Sequence, residues 1–177
     1  MNGGRYMELW DVYDKNRVRT GRVMERGEPI KSGDHHMGAH VCVFNSEGKL
    51  LIQKRQPFKK GYPGRWDLSV GGSSLSGETS DMTAHRELLE EIGIDYDFCG
   101  IRPHFTMNRE GIFDDFYIIE KDVDIASLSL QAEEVEAVRW ATADGICELI
   151  EREEFVPYYP ELIRLIFVMR GRYGTYK

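Results

Sequence analysis

Three glutamates close together are the residues of this sequence best suited to chemistry. Glu87, Glu90 and Glu91 stand at positions i, i+3 and i+4, so on an α-helix their carboxylates share one face within a turn of each other. Like charges at this spacing repel by about 0.2–0.5 kcal/mol per pair, and the negative end of the helix dipole adds to the cost. A hard divalent cation with oxygen ligands would offset this repulsion, whereas an isolated cluster of this kind would be a solvated face.

The glutamates are not isolated, because a glycine-rich turn and two charged residues precede them at regular spacing. Five residues separate Gly72 from Glu78, and seven separate Glu78 from Arg86. A glycine lets the backbone come close to a metal or a phosphate. Glu78 falls near the predicted start of the helix, where its charge suits the dipole and where it could brace Arg86. The loop and the helix are therefore predicted to act as one unit.

Residues 72–94 resemble the Nudix box, G-x5-E-x7-R-E-U-x-E-E-x-G-U with U an apolar residue, at every specified position. The resemblance implies an α/β protein with the Nudix fold, in which a mixed β-sheet is sandwiched between α-helices. It also implies a Mg²⁺-dependent hydrolase, with Mn²⁺ as a substitute, and a helping role for the Gly72 backbone. Arg86 and Glu78 would be the pair that orients the catalytic helix. The implied metal ligands are Glu87, Glu90 and Glu91.

The same resemblance implies how the reaction would run. The cation would bridge the oxygens of a diphosphate and lower the pKa of a water molecule, and Glu87 or Glu91 would handle the proton of that water. In many members of the family a later loop adds a glutamate as base or ligand. Residues 131–134 are the candidate for that loop, through Glu133 or Glu134, and a merely solvated acidic loop is the alternative.

The expected substrate is a nucleoside diphosphate derivative or a related small organic diphosphate. Arg55, which ends a predicted strand, is the residue expected to bind a phosphate. After the box, the chain has neither the proline typical of ADP-ribose hydrolases nor the tyrosine typical of dinucleoside polyphosphate hydrolases at the usual distance. The sequence therefore leaves the identity of the substrate open.

Residues 10–66 resemble the isopentenyl-diphosphate-isomerase-like branch of the family, which introduces a rival function. True isomerases have a catalytic Cys on the strand just ahead of the box and a Glu in a W-x-E-H-E run, but residues 66–72 contain no Cys and residues 108–115 lack that run. His36 would lie near the place of an isomerase metal ligand, in an incomplete site, and Cys42 is the thiol that could rescue isomerisation. Hydrolysis is favoured. A catalytically silent binding module is the third alternative, with little reason to keep all three glutamates.

The elements that must position these residues can be predicted from hydrophobic pattern and turn signals. An opening hairpin is expected at residues 8–13 and 17–21, followed by a connector at 26–38. The central helix is expected at residues 79–92, with a left-handed C-cap at Gly93. Its apolar positions are Met82, Leu88, Leu89 and Ile92. Further strands are predicted at 39–44, 49–55, 66–70, 98–107, 113–120 and 135–140, and further helices at 144–152 and 159–169.

Length and composition indicate a single Nudix domain over residues 1–177, with a hairpin and connector at 1–38 and a core at 39–177. The formal net charge is −7, which disfavours a nucleic acid polymer as partner. No apolar stretch approaches a membrane span, and no amino-terminal signal peptide is expected. The widely spaced Cys42, Cys99 and Cys147 are typical of reduced thiols. We therefore expect a cytoplasmic enzyme with a small-molecule substrate, and assembly as a homodimer stays open.

Overall fold

The structure, a computed structural model, describes residues 8–174. This part of the chain forms nine β-strands, three α-helices and one short 3₁₀ turn at Ile125–Ser127. The strands are β1 (Leu9–Tyr13), β2 (Arg19–Glu25), β3 (His36–Phe44), β4 (Leu50–Arg55), β5 (Trp66–Asp67), β6 (Val70–Ser73), β7 (Phe105–Arg109), β8 (Ile112–Glu120) and β9 (Val135–Ala141). The α-helices are α1 (Ser80–Ile92), α2 (Ala143–Glu151) and α3 (Pro160–Met169).

Seven of the strands form one mixed sheet, and β1 and β2 form a separate antiparallel hairpin. In the large sheet β3 and β8 run parallel, whereas β7 pairs with β8, and β5 and β9 pair with β4, in antiparallel fashion. A parallel pair needs a long crossover connection. The chain between β3 and β8 supplies it, and this crossover contains α1. The topology therefore places α1 over the sheet, next to β3 and β6.

The strands predicted at 39–44 and 49–55, which the polar turn between them suggests as a hairpin, are paired only next to that turn. The two strands pair at Phe44 and Leu50 and then diverge, so that β6 continues along β3 while β5 continues along β4. Buried backbone groups need hydrogen-bond partners where a ladder opens. Ser69, between β5 and β6, supplies them: its hydroxyl accepts from the Val43 amide at 2.9 Å and donates to the Leu51 carbonyl at 2.5 Å. The opening brings β6, which carries Gly72, beside β3.

The sheet has an apolar cluster on each face, because successive strand residues point to opposite sides. One cluster joins the sheet to α1, and the other joins it to α2 and α3. Facing α1 are Val41, Val43 and Leu51, and facing α2 and α3 are Cys42, Phe44, Leu50 and Ile52. The layers are thus helix, sheet and helices, as the resemblance implied.

The boundaries of α1 agree with the sequence prediction, but its buried face does not. Gly93 adopts φ 74° and its amide bonds back to the carbonyl of Leu89 at 3.0 Å, so the predicted C-cap is present. Leu88 and Ile92 are buried as expected, whereas Met82 and Leu89 are exposed. The sheet covers the face that also carries Ala84, and small or polar residues fill much of it. Counting apolar residues alone therefore misjudged which face is inside.

Some strand predictions were wrong in their limits. The strand expected at 66–70 is split into β5 and β6, with the two glycines inside β6 rather than after it. The strand expected at 98–107 begins only at Phe105, although Phe98 is buried. The second strand of the opening hairpin lies at Arg19–Glu25 instead of 17–21. Among the described residues, no helix is long and apolar enough to cross a membrane.

Candidate functional site

The loop before α1 and the second half of that helix are joined by a network of charges, which we call the brace: Glu78, Arg86, Glu87 and Glu90. Arg86 donates to both oxygens of the Glu78 carboxylate, from Nε at 2.7 Å and from Nη2 at 3.0 Å. Its Nη1 donates to Glu87 at 2.7 Å and to Glu90 at 3.3 Å. One guanidinium thus serves three carboxylates, with the fork geometry that bidentate pairing requires.

The brace sets the protonation of Glu78. Burial would raise the pKa of this carboxyl, but hydrogen bonds from Arg86 and from the Leu75 amide outweigh burial, and the pKa lies below its usual range. Arg86 in turn has its pKa raised by Glu78 and Glu87, despite partial burial. Both groups are therefore charged at neutral pH, which suits a structural pair.

Gly72 and Glu87 lie in direct contact. A Cβ atom built on Gly72 would fall 2.0 Å from Oε1 of Glu87 and 2.3 Å from its Cδ. No side chain fits in that space unless the Glu87 carboxylate moves, so in this arrangement the carboxylate lies against bare backbone. The glycine at this position of β6 is therefore required by the position of the glutamate, and the carbonyl-bearing backbone of β6 and the carboxylate form one oxygen-rich corner.

Glu91 and Gln53 form a second, contrasting arrangement, which we call the Glu91 socket. Glu91 is 5% exposed, and its Oε2 accepts a hydrogen bond from Nε2 of Gln53, itself 2% exposed, at 2.8 Å. No Lys, Arg or His among residues 8–174 pairs with this carboxylate. Burial, with the neighbouring charges of Glu87 and Glu134, raises the pKa of Glu91 well above its usual range.

This burial corrects one expectation. Their spacing predicted one shared face of α1 for the three glutamates, but that face is not equally open to solvent: only Glu90 is exposed, with 52% of its side chain accessible. Glu87 is mostly covered, and burial raises its pKa although Arg86 is bonded to it. In the described part of the chain no three acidic, His or Cys side chains are gathered as a ready metal site. The reason is visible: Arg86 turns Glu87 and Glu90 towards itself, while Gln53 holds Glu91.

A cavity of about 300 Å³ opens over these groups and has the size of a small-molecule site. It is lined by positively and negatively charged residues from five separate segments of the chain. The basic ones are Arg26, Arg55, Lys59 and Arg86, and the acidic ones are Glu8, Glu87, Glu90, Glu91 and Glu134. The cavity thus contains both carboxylate oxygens, which suit a cation, and cationic groups, which suit an anion, and most of these charges are paired with each other.

Arg55, the expected phosphate ligand, lines this cavity but is already engaged. Its Nε donates to the Gly61 carbonyl at 3.0 Å, and its Nη1 lies 3.5 Å from a carboxylate oxygen of Asp67. Arg26 is freer, with 57% of its side chain exposed and an exposed partner, Glu8, at 2.6 Å. Because Arg26 comes from the end of the opening hairpin, no local signal in the sequence pointed to it.

The acidic loop at residues 131–134 reaches the site through Glu134. The backbone amide of Gln131 donates to the Glu91 carbonyl at 2.9 Å, and the Glu134 carbonyl accepts from the Gln56 amide at 3.0 Å. Glu134 lines the cavity and pairs with Lys59, whereas Glu133 is not among the lining residues. Of the two glutamates left open by the sequence, the structure brings only Glu134 to the site.

Gln53 is a site residue that the sequence analysis missed. It stands in β4 directly after three buried apolar residues, at a position with 2% exposure. A polar side chain buried in an apolar strand needs a partner, and this one has Glu91. The signal that could have found it is the interruption of the apolar run Leu50, Leu51 and Ile52 by an amide.

The residues relevant to isomerase chemistry lie away from the glutamates. Cys42 is fully buried in the layer that faces α2 and α3, and burial raises the pKa of its thiol. His36 is stacked on Trp10, with ring centroids 4.2 Å apart. At Gly71 an added Cβ would fall 2.5 Å from Nδ1 of His40, so this part of β6 has no room for a side chain unless that imidazole moves. Among the described residues, none of the cysteines lines the cavity over the glutamates.

Comparisons with known proteins agree with this geometry. The NUDIX domain family matches residues 34–165. An uncharacterized Nudix hydrolase of Listeria monocytogenes is 47% identical over 86% of this chain and 90% of its own length. An isopentenyl-diphosphate Δ-isomerase of Pectobacterium atrosepticum is 36% identical over 54% of this chain and 51% of its own length. A crystal structure from Deinococcus radiodurans superposes with a TM-score of 0.74 at 24% identity, covering 90% of this chain and 99% of that one.

Proposed function

We propose that this chain, which belongs to the Nudix hydrolase family, cleaves a diphosphate linkage in a nucleoside diphosphate derivative or a related small organic diphosphate, with Mg²⁺ as cofactor. The observation that carries the proposal is the Glu91 socket. A carboxylate that is 5% exposed and faces other glutamates, with no cationic partner in the described residues, is costly unless a cation or a proton joins it.

The donor atoms fit a hard divalent cation. Glu87, Glu90 and Glu91 offer carboxylate oxygens, and the side-chain-free backbone of Gly72 lies against Glu87. Mg²⁺, or Mn²⁺ in its place, prefers such oxygen ligands and shares them with substrate phosphates. When bound there, the cation would supply positive charge to the diphosphate and make water more acidic. Arg86 would then have to release part of its hold on Glu87 and Glu90.

The residues of the chain perform the remaining steps. The oxygen of a water molecule attacks one phosphorus, and the bond from that phosphorus to the bridging oxygen breaks with its electron pair on the leaving phosphate. Glu91 accepts the proton of the water, because its neighbour Gln53 is neutral and it is therefore more basic than Glu87, which Arg86 holds. Glu78 and Arg86 keep the helix in place and do not exchange protons.

The basic residues of the cavity are proposed to bind the substrate. Arg26, Arg55 and Lys59 all line the cavity. Each is paired with an acidic side chain, and Arg26 and Lys59 are paired with residues that themselves line the cavity. Phosphate oxygens could replace Glu8 and Glu134 as partners of these two cations, and the charges would stabilise the leaving phosphate. Glu134 would thereby become available as an additional ligand.

The rival isomerase function has support from sequence similarity over about half of the chain. Against it stand the absence of a Cys at residues 66–72 and the burial of Cys42 on the other face of the sheet. Isomerisation needs a group that moves a proton at carbon, whereas the groups gathered at this site are suited to water and phosphate. We therefore place hydrolysis first.

A substrate screen with isotope labels tests the proposal. Nucleoside di- and triphosphates, nucleotide sugars, coenzyme A and isoprenoid diphosphates are incubated with Mg²⁺ or with EDTA, and released phosphate or nucleotide is measured. We expect turnover that requires the cation and, in water labelled with heavy oxygen, a label on a phosphate product. Deuterium entering the carbon skeleton of isopentenyl diphosphate in deuterated water, or full activity in EDTA, would contradict the proposal.

We also propose a cytoplasmic location and a small-molecule substrate rather than a nucleic acid polymer. The net charge of −7 and the free state of Cys42, Cys99 and Cys147 support this. The homodimer, the single-domain organisation and the individual roles of the site residues stay predictions.

A further inference from the structure

The opening hairpin lies against the loop that carries the start of the Nudix box. The backbone amide of Ser76 donates to the Leu9 carbonyl of β1 at 2.7 Å. Two residues further along β1, one oxygen of the Asp11 carboxylate accepts from the Ser76 hydroxyl at 2.7 Å, and the other accepts from the Gly77 amide at 3.0 Å. A single carboxylate thus ties two consecutive loop residues to a strand outside the box.

Arg19, on the partner strand β2, completes this contact. Its Nε lies 3.3 Å from Asp11 and donates to the Tyr13 hydroxyl at 2.9 Å, while its Nη2 donates to the backbone carbonyl of Glu78. Asp11 is well covered, with 16% of its side chain accessible. The hairpin therefore holds residues 76–78 at three successive points.

The hairpin can serve as a support because β1 is itself fixed to the large sheet. Tyr13 exchanges two backbone hydrogen bonds with His35, at 2.7 and 2.9 Å. Trp10 is 8% exposed and stacks on His36, and Arg17 pairs with the fully buried Asp115 of β8. A contact from β1 to the loop therefore fixes the loop relative to the large sheet.

The loop needs such a support at the point where Asp11 holds it. Gly77 has φ +92°, and no atom lies within 4 Å of the position of a Cβ there. A glycine in open space has the greatest backbone freedom of any residue. The next residue, Glu78, anchors Arg86, and Arg86 sets the carboxylates of Glu87 and Glu90. Backbone motion at Gly77 would therefore displace Glu78 and Arg86, and with them the carboxylates of the proposed metal ligands Glu87 and Glu90.

We propose that Asp11 is a positioning residue of the active site, which holds the loop at residues 76–78 and thereby the brace in the geometry that the reaction requires. This inference rests on the proposed function. Asp11 does not touch the cavity, so its removal acts on the rate of the chemical step more than on substrate binding. The amino-terminal hairpin becomes part of the catalytic apparatus.

The test compares Asp11→Ala with a matched control, Asp34→Ala. Asp34 forms a two-fold pair with Arg22 of the same hairpin, at 2.6 and 2.7 Å, and has no contact with the loop. We expect Asp11→Ala to lower kcat by about tenfold to a hundredfold with KM within about threefold, and Asp34→Ala to change neither. Equal losses in both variants, or an unchanged kcat in Asp11→Ala, would overturn the proposal.

Amide hydrogen exchange of the ligand-free protein supplies a readout that does not depend on the reaction. Asp11→Ala should accelerate exchange at the Gly77 amide, which loses its acceptor, and Asp34→Ala should not. Unchanged exchange at Gly77 would overturn the proposal even if kcat falls. If the exchange result is as expected but the Glu91→Gln enzyme keeps full activity, the proposed function fails while the structural part of the inference stands.

Three further variants protect the test against a folding defect. Asp11→Asn keeps one carbonyl oxygen as acceptor and should retain more activity than Asp11→Ala. Ser76→Ala removes the loop side of one contact, so the double variant Asp11→Ala with Ser76→Ala should lose less than the product of the two single losses. Strictly multiplicative losses would mean that Asp11 does not act through this loop.

Discussion

Glu78 and Glu91 belong to the same loop and helix, yet their surroundings are opposite. Glu78 is bonded to Arg86 through both oxygens, and its pKa is lowered in spite of burial. Among residues 8–174 the hydrogen-bond partner of the Glu91 carboxylate is the neutral Gln53, and burial raises the pKa of Glu91. Two carboxyl groups whose pKa values are pushed apart in one site commonly have separate tasks. The brace accordingly has the properties of a scaffold and the Glu91 socket those of a reactive group.

The largest expected effect on turnover belongs to the socket. Glu91→Gln keeps the size of the side chain and a hydrogen-bond acceptor for Gln53, but removes the charge and the base. We expect kcat to fall by about 10²- to 10⁴-fold, with no loss of thermal stability in the metal-free protein. Glu148→Gln on the exposed face of α2 is the control and should keep full activity. A fall in melting temperature that accounts for the lost activity would show that Glu91 has a structural role. The proposed difference between the Glu91 socket and the brace would then be wrong.

Substitution in the brace, unlike substitution of Glu91, should lower the stability of the metal-free protein. Glu78→Gln removes the charge that holds Arg86, and both side chains are mostly covered. We expect the free energy of unfolding to fall by about 2–3 kcal/mol, which corresponds to roughly 5–10 °C in Tm for a chain of this length. Glu136→Gln, which removes an exposed pair with Lys54, should cost less than about 1 kcal/mol. Equal costs in chemical denaturation would show that the brace is not a scaffold.

The pH dependence of metal-free stability should have opposite signs at the two carboxyls. Glu91 has a raised folded pKa, so its destabilising effect appears as pH rises from its unfolded value of about 4.3 through the raised folded value. Glu91→Gln should therefore have a higher Tm than the wild type at about pH 8, and the gap should close towards about pH 4.5.

Glu78 has a lowered folded pKa, so its stabilising effect is complete above about pH 4.3 and is lost as pH falls through the lowered value. The Tm deficit of Glu78→Gln should thus be constant at neutral pH and shrink in acid. Thermal scans in a chelator decide both cases. Parallel pH profiles for the two variants would contradict the account. They would mean that the charges of Glu87 and Glu134 do not raise the pKa of Glu91 as the structure indicates.

The smallest effect is expected at a group that is as deeply buried as Glu91 but lies on the other face of the sheet. Cys42 is fully buried, and burial raises the pKa of its thiol. Cys42→Ser should leave kcat within about twofold, at a stability cost of about 1–3 kcal/mol for an unpartnered hydroxyl. A large loss of kcat in a folded variant would place chemistry outside the glutamate site and revive the isomerase alternative.

The parts of the site that are close in sequence could be predicted, because helix geometry relates them. The spacing of Glu87, Glu90 and Glu91 implied a shared helix face, the spacing of Glu78 and Arg86 implied a pair between them, and the Nudix box identified the fold. The burial of Glu91 could not be predicted from spacing, since it depends on Gln53 of β4 reaching across from the sheet. The exposure of Met82 and Leu89 was missed for the same reason: the sheet decides which face of α1 is inside.

Residues that reach the site from distant segments of the chain could not be predicted from the sequence pattern. Arg26 arrives through the docking of the hairpin, and Glu134 through the antiparallel pairing of β9 with β4, which carries the preceding loop to the end of α1. Pairing of this kind depends on contacts far apart in the sequence. The choice between Glu133 and Glu134 therefore required the structure.

Titration calorimetry with Mg²⁺ tests the central claim most directly, namely that Glu91 is an uncompensated carboxylate awaiting a cation. Measured in two buffers of different ionisation enthalpy, binding to the wild-type protein should release protons, because burial raises the pKa of Glu91 and a bound cation favours its ionised form. Glu91→Gln should bind Mg²⁺ much more weakly and without that proton release. Equal affinity and equal proton release in both proteins would contradict the account.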